Sequence, residues 1–326
     1  MLKARRNSSF ELLRIILILM ILVEHGNMWF VGGGYSSESE HFAKAFIESL
    51  CIGSVNAFVL ISGWFGIRSG LKKIGDLAFM VLFCTIPLLV VALALKWLSI
   101  AELMTFNGIY EYIFGGHAYW FIADYIGLLI LAPVLNKGVE SLDRRSFRNL
   151  LLAGYAIILI YDFIFRVPVL GSEGGYSVLW FIFLYMLGRY MHTYGVHFIS
   201  RFRLSLLVLA VALQTFLFYR GLIGMRYTNP LILLEAVCMI SIFRKWHFHS
   251  AFINYAASGC LMAYMLHMQP VLVPFIRTFL ISEYRLHGYW IYMTEILCLS
   301  VGVFAIAVLL DKAQASLYRR IINRVP

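Results

Sequence analysis

Apolar positions fill ten stretches of the chain, at about 10–29, 43–65, 74–98, 118–136, 149–165, 176–193, 204–220, 227–243, 252–280 and 289–311. Each approaches or exceeds the roughly 20 residues that a helix needs to cross hydrocarbon. A segment in lipid must satisfy its own backbone groups, so it is a helix or a strand of a closed barrel, and these runs are too long for barrel strands. The pattern predicts an all-α polytopic membrane protein, a bundle of about ten transmembrane helices.

The connections between the runs are short, and none could hold a soluble catalytic domain. One integral-membrane domain over residues 1–326 is therefore expected. The longest connection, Ser99 to His117, contains "IAELMTFNGIYEYIFGGH", whose mixture of apolar and acidic positions predicts an interfacial helix on the outer side. No internal repeat is visible. Pro87, Pro133, Pro230, Pro270 and Pro274 do not fall at matching places in two halves, as the broken helices of many transporters do.

Composition supports this picture: 61% of the residues are hydrophobic and 13% charged, too little polar surface to cover a water-soluble fold. The formal charge of +10 would suit a nucleic-acid partner, but the placement of the basic residues argues for membrane orientation instead. With a cytoplasmic N-terminus, nineteen Lys and Arg fall inside, from Lys3, Arg5 and Arg6 to Arg319, Arg320 and Arg324. Seven fall outside: Lys44, Lys96, Arg166, Arg220, Arg226, Arg277 and Arg285. That bias predicts both termini on the cytoplasmic side. The segment "MLKARRNSSF" runs into the first span without a small-residue cleavage site, which predicts an uncleaved anchor. The five cysteines lie within predicted spans without metal-ligand spacing, so neither a disulfide framework nor a metal is expected.

The first span carries the candidate chemistry. Arg14 and His25 are eleven residues apart, which on an α-helix returns to almost the same azimuth about 16 Å further along the axis. An elongated ligand could then have an anionic end held by the guanidinium and a reactive end at an imidazole that exchanges protons near neutral pH. The plainer reading is an Arg snorkelling to the headgroups and a His at the opposite interface. Glu24 points about 100° away from His25 and is not its obvious partner, whereas Glu11 could pair with Arg14.

Four motifs give these residues a context. "LLRIILILMILVEH" resembles the first-helix signature of the membrane acyltransferase 3 family, an Arg and a His separated by ten residues. "NAFVLISGWF" is similar to the family's second-helix pattern ending in Ser-Gly, and "YWFIADYIGLLILAPVLN" to its Trp-Phe span ending in Leu-x-Pro. "LMAYMLHMQP" resembles its late Tyr-x-x-His helix. The likeness covers essentially the whole chain in order.

The resemblance implies an O-acyltransferase of the plasma membrane, the inner membrane of a bacterium. It would move an acyl group, commonly acetyl, from cytosolic acyl-CoA such as acetyl-CoA to a hydroxyl of a glycan or glycolipid, with no permanently bound cofactor. His25 would be catalytic, as general base or through an acyl-imidazole, and Arg14 would serve the donor. Ser62, Arg68, Lys72 and Lys73 are further donor-side candidates, although Ser62-Gly63 also suits close helix packing and the cations also suit orientation. Arg144, Arg145 and Arg148 form a second inner cluster. Trp120, Asp124, Tyr264 and His267 are expected at the acceptor cavity, with His117 and Tyr119 nearby. Glu235, Glu295 and Asp162 are expected to face the protein interior. A transporter or flippase of a lipid-linked saccharide would use similar intramembrane groups, and a non-catalytic scaffold is a third reading.

Overall fold

The computed structural model describes residues 7–68, 70–165 and 173–322, and among these all regular structure is helical. Lys3, Arg5, Arg6, Arg166 and Arg324 of the orientation argument, and residues 1–6 of the segment leading into the first span, lie outside the described residues. Helix α1 (Ser9–Glu24) continues into a wider turn, His25–Trp29, closed by a bond from Phe30 N–H to the His25 carbonyl five residues back. Such π-turns admit one extra residue and recur at functional sites.

Helices α2 (Glu38–Cys51) and α3 (Gly53–Phe65) return as a nearly continuous rod. The Ser37 side chain caps α2 by accepting from Glu40 N–H, and Glu38 and Glu40 in its first turn complement the helix dipole. Helix α4 (Gly70–Ala94) leads to the short α5 (Ile100–Leu103) and α6 (Phe106–Phe114), capped by Ser99 and Thr105. Phe106 and Phe114 stand exposed on α6, as an interfacial helix would have them. Next come α7 (Trp120–Ser141), α8 (Arg144–Leu159), α9 (Val178–Thr193), α10 (His197–Tyr219) and α11 (Pro230–Phe243).

The stretch expected as one span over 252–280 is not one helix. It divides into α12 (Ala251–Ala256), a 3-10 turn at Ala257–Gly259, α13 (Cys260–His267) and an open turn before α14 (Val273–Ile322). The causes are local: Pro270 cannot continue α13, and the Gln269 side chain instead accepts from Val271 and Leu272 N–H. Helix α14 itself breaks at Gly288, whose φ of 69° and ψ of 169° belong to glycine.

Among the described residues six helical stretches are long and apolar enough to cross a membrane: Glu38–Phe65, Lys72–Ala94, Gly116–Ser141, Arg144–Phe165, His197–Tyr219 and Val273–Arg320. The other expected spans fall on shorter or broken helices. Apolar side chains such as Val90, Ile130, Val134 and Val208 face outward, a surface suited to lipid rather than water. Helices α3 and α11 form the buried centre, and α3 meets α9 most closely where Gly63 faces Gly188. A Cβ on Gly63 would come within 2.3 Å of the Tyr185 carbonyl oxygen, so small residues set this approach.

The candidate site along the first helix

A cavity of about 1180 Å³ runs beside α1, and Arg14, Ile18, Ile21, His25 and Met28 all line it. Their spacing of four, three, four and three residues is one stripe of a helix, so a single face of α1 forms one wall. Phe10 packs its ring on Trp64 and Phe65 at the C-terminal end of α3, at 5.6 and 5.1 Å between centroids. The Arg14 end of the cavity is therefore also the end that carries Arg68. Asn136 donates to the Ile67 carbonyl, bringing the α7–α8 connection with Arg144, Arg145 and Arg148 to the same end.

Arg14 pairs with Glu11 at 3.2 Å, one turn back on α1, and keeps 29% of its side chain exposed. Ser62 also lines the cavity, with its hydroxyl 3.2 Å from the Tyr125 hydroxyl. Arg68, Lys72 and Lys73 do not line the cavity; they are exposed beyond it. Charge clusters in a sequence mark an end of the bundle, not the reach of each side chain.

His25 meets His267 across the bundle: its Nδ1 lies 2.9 Å from His267 Nε2. The second nitrogen of His267, Nδ1, is 2.9 Å from the Ala263 carbonyl oxygen. A carbonyl only accepts, so His267 Nδ1 carries a proton. Among the described residues no carboxylate pairs with His267, and an imidazolium buried without a counter-charge is costly, so the pair is assigned as neutral. His267 Nε2 then accepts from His25 Nδ1–H, which leaves the lone pair of His25 on Nε2. That is the tautomer a general base needs. His267 was expected in the acceptor cavity, but it lies behind His25, 5% exposed and absent from the cavity wall. The reason is that both its nitrogens are turned to protein partners.

The other expected wall residues, Trp120, Asp124 and Tyr264, do line the cavity, as does His117, which lies 2.5 Å from Glu111. Tyr119 is buried instead, donating to the Met265 carbonyl, while Tyr264 donates to the Ala118 carbonyl. These two bonds fasten α13 to the start of α7.

The structure also brings further residues to the site. Glu24 and Glu48 line the cavity near His25, with Tyr176 and Tyr227. Asn27 donates to the Lys44 carbonyl and to Glu48, and accepts from Tyr289, while Tyr292 donates to the Gly26 carbonyl. This network holds the π-turn from behind. Lys44, expected as an outer orienting charge, is instead buried in an ion pair with Glu40 at 3.1 Å.

Glu235 is buried against Gly53, and Asp162 accepts from the Thr228 hydroxyl at 2.7 Å. Glu295 meets His287 at 2.8 Å. With Glu283 these two bring their ligand atoms within 4.8 Å of one another beside the Gly288 break, but none of the three lines the cavity.

A family model described as an acyltransferase domain matches residues 7–312, nearly the whole chain and all of the cavity wall. No curated protein and no solved structure matches.

Proposed function

From the chain's membership of the acyltransferase 3 family, we propose that it is an O-acyltransferase, acetyl-CoA being its donor and a hydroxyl of a surface or lipid-linked glycan its acceptor. The observation that carries this reading is the single cavity with Arg14 at one end of the α1 stripe and His25 near the other. Coenzyme A has a phosphate-rich head and a long, thin pantetheine arm. The end with Arg14, Arg68, Lys72 and Lys73 supplies charge for the head, and the apolar wall of Ile18 and Ile21 suits the arm.

In this reaction the acceptor hydroxyl approaches the thioester carbonyl beside His25. Nε2 of His25 takes the hydroxyl proton as the oxygen bonds to the acyl carbon, and the imidazolium that forms is steadied through Nδ1–H by His267. The C–S bond then breaks and the proton passes from His25 to the departing thiolate. Attack by Nε2 on the thioester, giving an acyl-imidazole that the acceptor then resolves, uses the same nitrogen and the same tautomer. On this reading Arg14 faces the cytosol and the protein sits in the plasma membrane, the bacterial inner membrane, in keeping with the placement of its basic residues.

The test is transfer of labelled acetyl from acetyl-CoA by the purified full chain in lipid nanodiscs. Wild-type protein should release coenzyme A, and His25→Ala should reduce this to background while retaining monodispersity. An unmodified rate in His25→Ala sinks the catalytic assignment. Saccharide accumulation in vesicles without acyl chemistry would favour the flippase.

A further inference from the structure

The elbow of α14 gathers metal-binding chemistry away from the cavity. Glu283 and His287 are four residues apart on the arm before Gly288, so they share one face of it. Glu295 comes from the arm beyond, and the break at Gly288 lets the two arms meet. His287 Nδ1 lies 3.4 Å from Glu283 Oε2 and 2.8 Å from Glu295 Oε1, and the three atoms all fall within 4.8 Å of one another. Around a tetrahedral Zn²⁺ with bonds of ~2.0 Å, neighbouring N and O ligands stand about 3.3 Å apart. Two of the three edges are already near this length, and a small swing of one carboxylate closes the third.

The surroundings of the three side chains also call for a cation. Among the described residues His287 is the one ion-pair partner of either carboxylate, and Glu295 Oε2 is buried without a hydrogen-bond partner. A protonated His287 would balance one carboxylate and leave the other, whereas a divalent ion on a neutral imidazole balances both. Glu283 and Glu295 border a separate cavity of about 310 Å³, which has room for a water as fourth ligand. The side chains of Glu283, His287 and Glu295 are 24%, 34% and 32% exposed, sheltered yet reachable by an ion.

The elbow bears on the candidate site as well. Tyr289 and Tyr292, between the break and Glu295, donate to the Asn27 side chain and the Gly26 carbonyl in the turn that carries His25. Further down α14, Asp311 accepts from Ser258 in the cavity wall and lies within electrostatic reach of Cys260, as Arg14 does. Glu295 is sixteen residues before Asp311, about 24 Å along the helix. With Arg14 toward the cytosol, the elbow therefore stands at the outer face of the membrane.

We propose that Glu283, His287 and Glu295 form a binding site for a transition-metal dication, Zn²⁺ above all, which clasps the two arms of α14 together. An imidazole with two carboxylates suits Zn²⁺ better than Ca²⁺ or Mg²⁺, which favour shells made of oxygen alone. The cysteines carry no metal-ligand spacing, whereas these three residues acquire it once α14 is bent. The site does not depend on the reaction at His25.

The experiment is calorimetric titration of Zn²⁺ into the untagged, chelator-stripped full chain in nanodiscs, with empty discs as blank. Wild-type protein should bind one Zn²⁺ per chain, and X-ray absorption should show N and O ligands at about 2.0–2.1 Å without sulfur. His287→Ala should weaken binding by at least about a hundredfold, the upper end of the cost of removing a residue that only orients a ligand. Glu295→Gln should act in the same direction and serves if His287→Ala does not fold. Zn²⁺ should raise the melting midpoint of wild type and leave that of the variants in place, and about tenfold more Ca²⁺ should not displace it. The proposal is overturned if wild type takes up no more Zn²⁺ than empty discs or gains no thermal stability from it. It is equally overturned if both variants bind as wild type does, if sulfur ligands appear, or if Ca²⁺ displaces the ion.

Discussion

His25 and His267, 242 positions apart in sequence, share one hydrogen bond of 2.9 Å between Nδ1 and Nε2. Because His267 Nδ1 is spent on the Ala263 carbonyl, the pair has a direction, and the free lone pair of His25 is the one on Nε2.

Replacing His267 therefore tests position rather than chemistry. His267→Leu should lower kcat on the order of 10²-fold, the scale of a misdirected catalytic group, with KM for acetyl-CoA little changed. His267→Gln can place an oxygen acceptor near the same point and should recover much of that loss. It should also shift the acidic limb of the pH–rate profile, because the imidazolium of His25 then has a different neighbour. If Leu and Gln are equally impaired and the profile does not move, the role of His267 is structural packing.

Arg14 is predicted to act on the donor. Arg14→Ala should raise KM for acetyl-CoA by about tenfold or more, the loss expected for a charge-assisted phosphate contact, with a smaller effect on kcat. Arg14→Lys should recover only part, since an ammonium lacks the planar fork. A fall in kcat at constant KM would place Arg14 elsewhere in the reaction.

These residues show where sequence reading succeeds. The common face of Arg14 and His25 follows from helix geometry alone, and the structure keeps it because α1 is regular as far as Glu24. On an ideal helix Glu24 points about 100° from His25, yet the cavity is broad enough to take in both side chains. The depth of His267 and the burial of Lys44 depend on partners far along the chain, Tyr284 among them, which no local pattern announces. The break over 252–280 was hidden because hydropathy records apolarity and not the turn built by Gln269 and Pro270.

Gly63 is predicted to be intolerant of any side chain. A Cβ there would meet the Tyr185 carbonyl oxygen at 2.3 Å and the Gly188 Cα at 3.0 Å, both backbone atoms that cannot turn aside. Gly63→Val should cost about 1–3 kcal/mol or more through overpacking, read as a melting midpoint lowered by several degrees in detergent. Ser62→Ala, one residue away, loses only the hydroxyl's long contacts with the Phe58 carbonyl and the Tyr125 hydroxyl and should melt close to wild type. Equal midpoints for Gly63→Val and wild type would mean that α3 and α9 do not approach as described.

The last prediction concerns what holds the turn that bears His25. Lys44 and Glu40 are 2% and 6% exposed in their side chains and pair at 3.1 Å. Lys44 also donates to the Gly34 carbonyl and to Tyr284, whose hydroxyl in turn donates to Glu40. Through its backbone carbonyl Lys44 holds Asn27, in the π-turn itself. Removing one charge leaves the other buried and unpaired, so Lys44→Met should cost about 3–5 kcal/mol, whereas replacing a whole buried pair with apolar groups is often close to neutral. The double variant Lys44→Met/Glu40→Leu should accordingly melt above Lys44→Met alone. The turn is anchored by the Lys44 backbone rather than its ammonium, so the double variant should also retain most of the kcat. A double variant that melts below either single variant would show that the bonds of Glu40 to Ser36 and Tyr284 outweigh its pairing with Lys44.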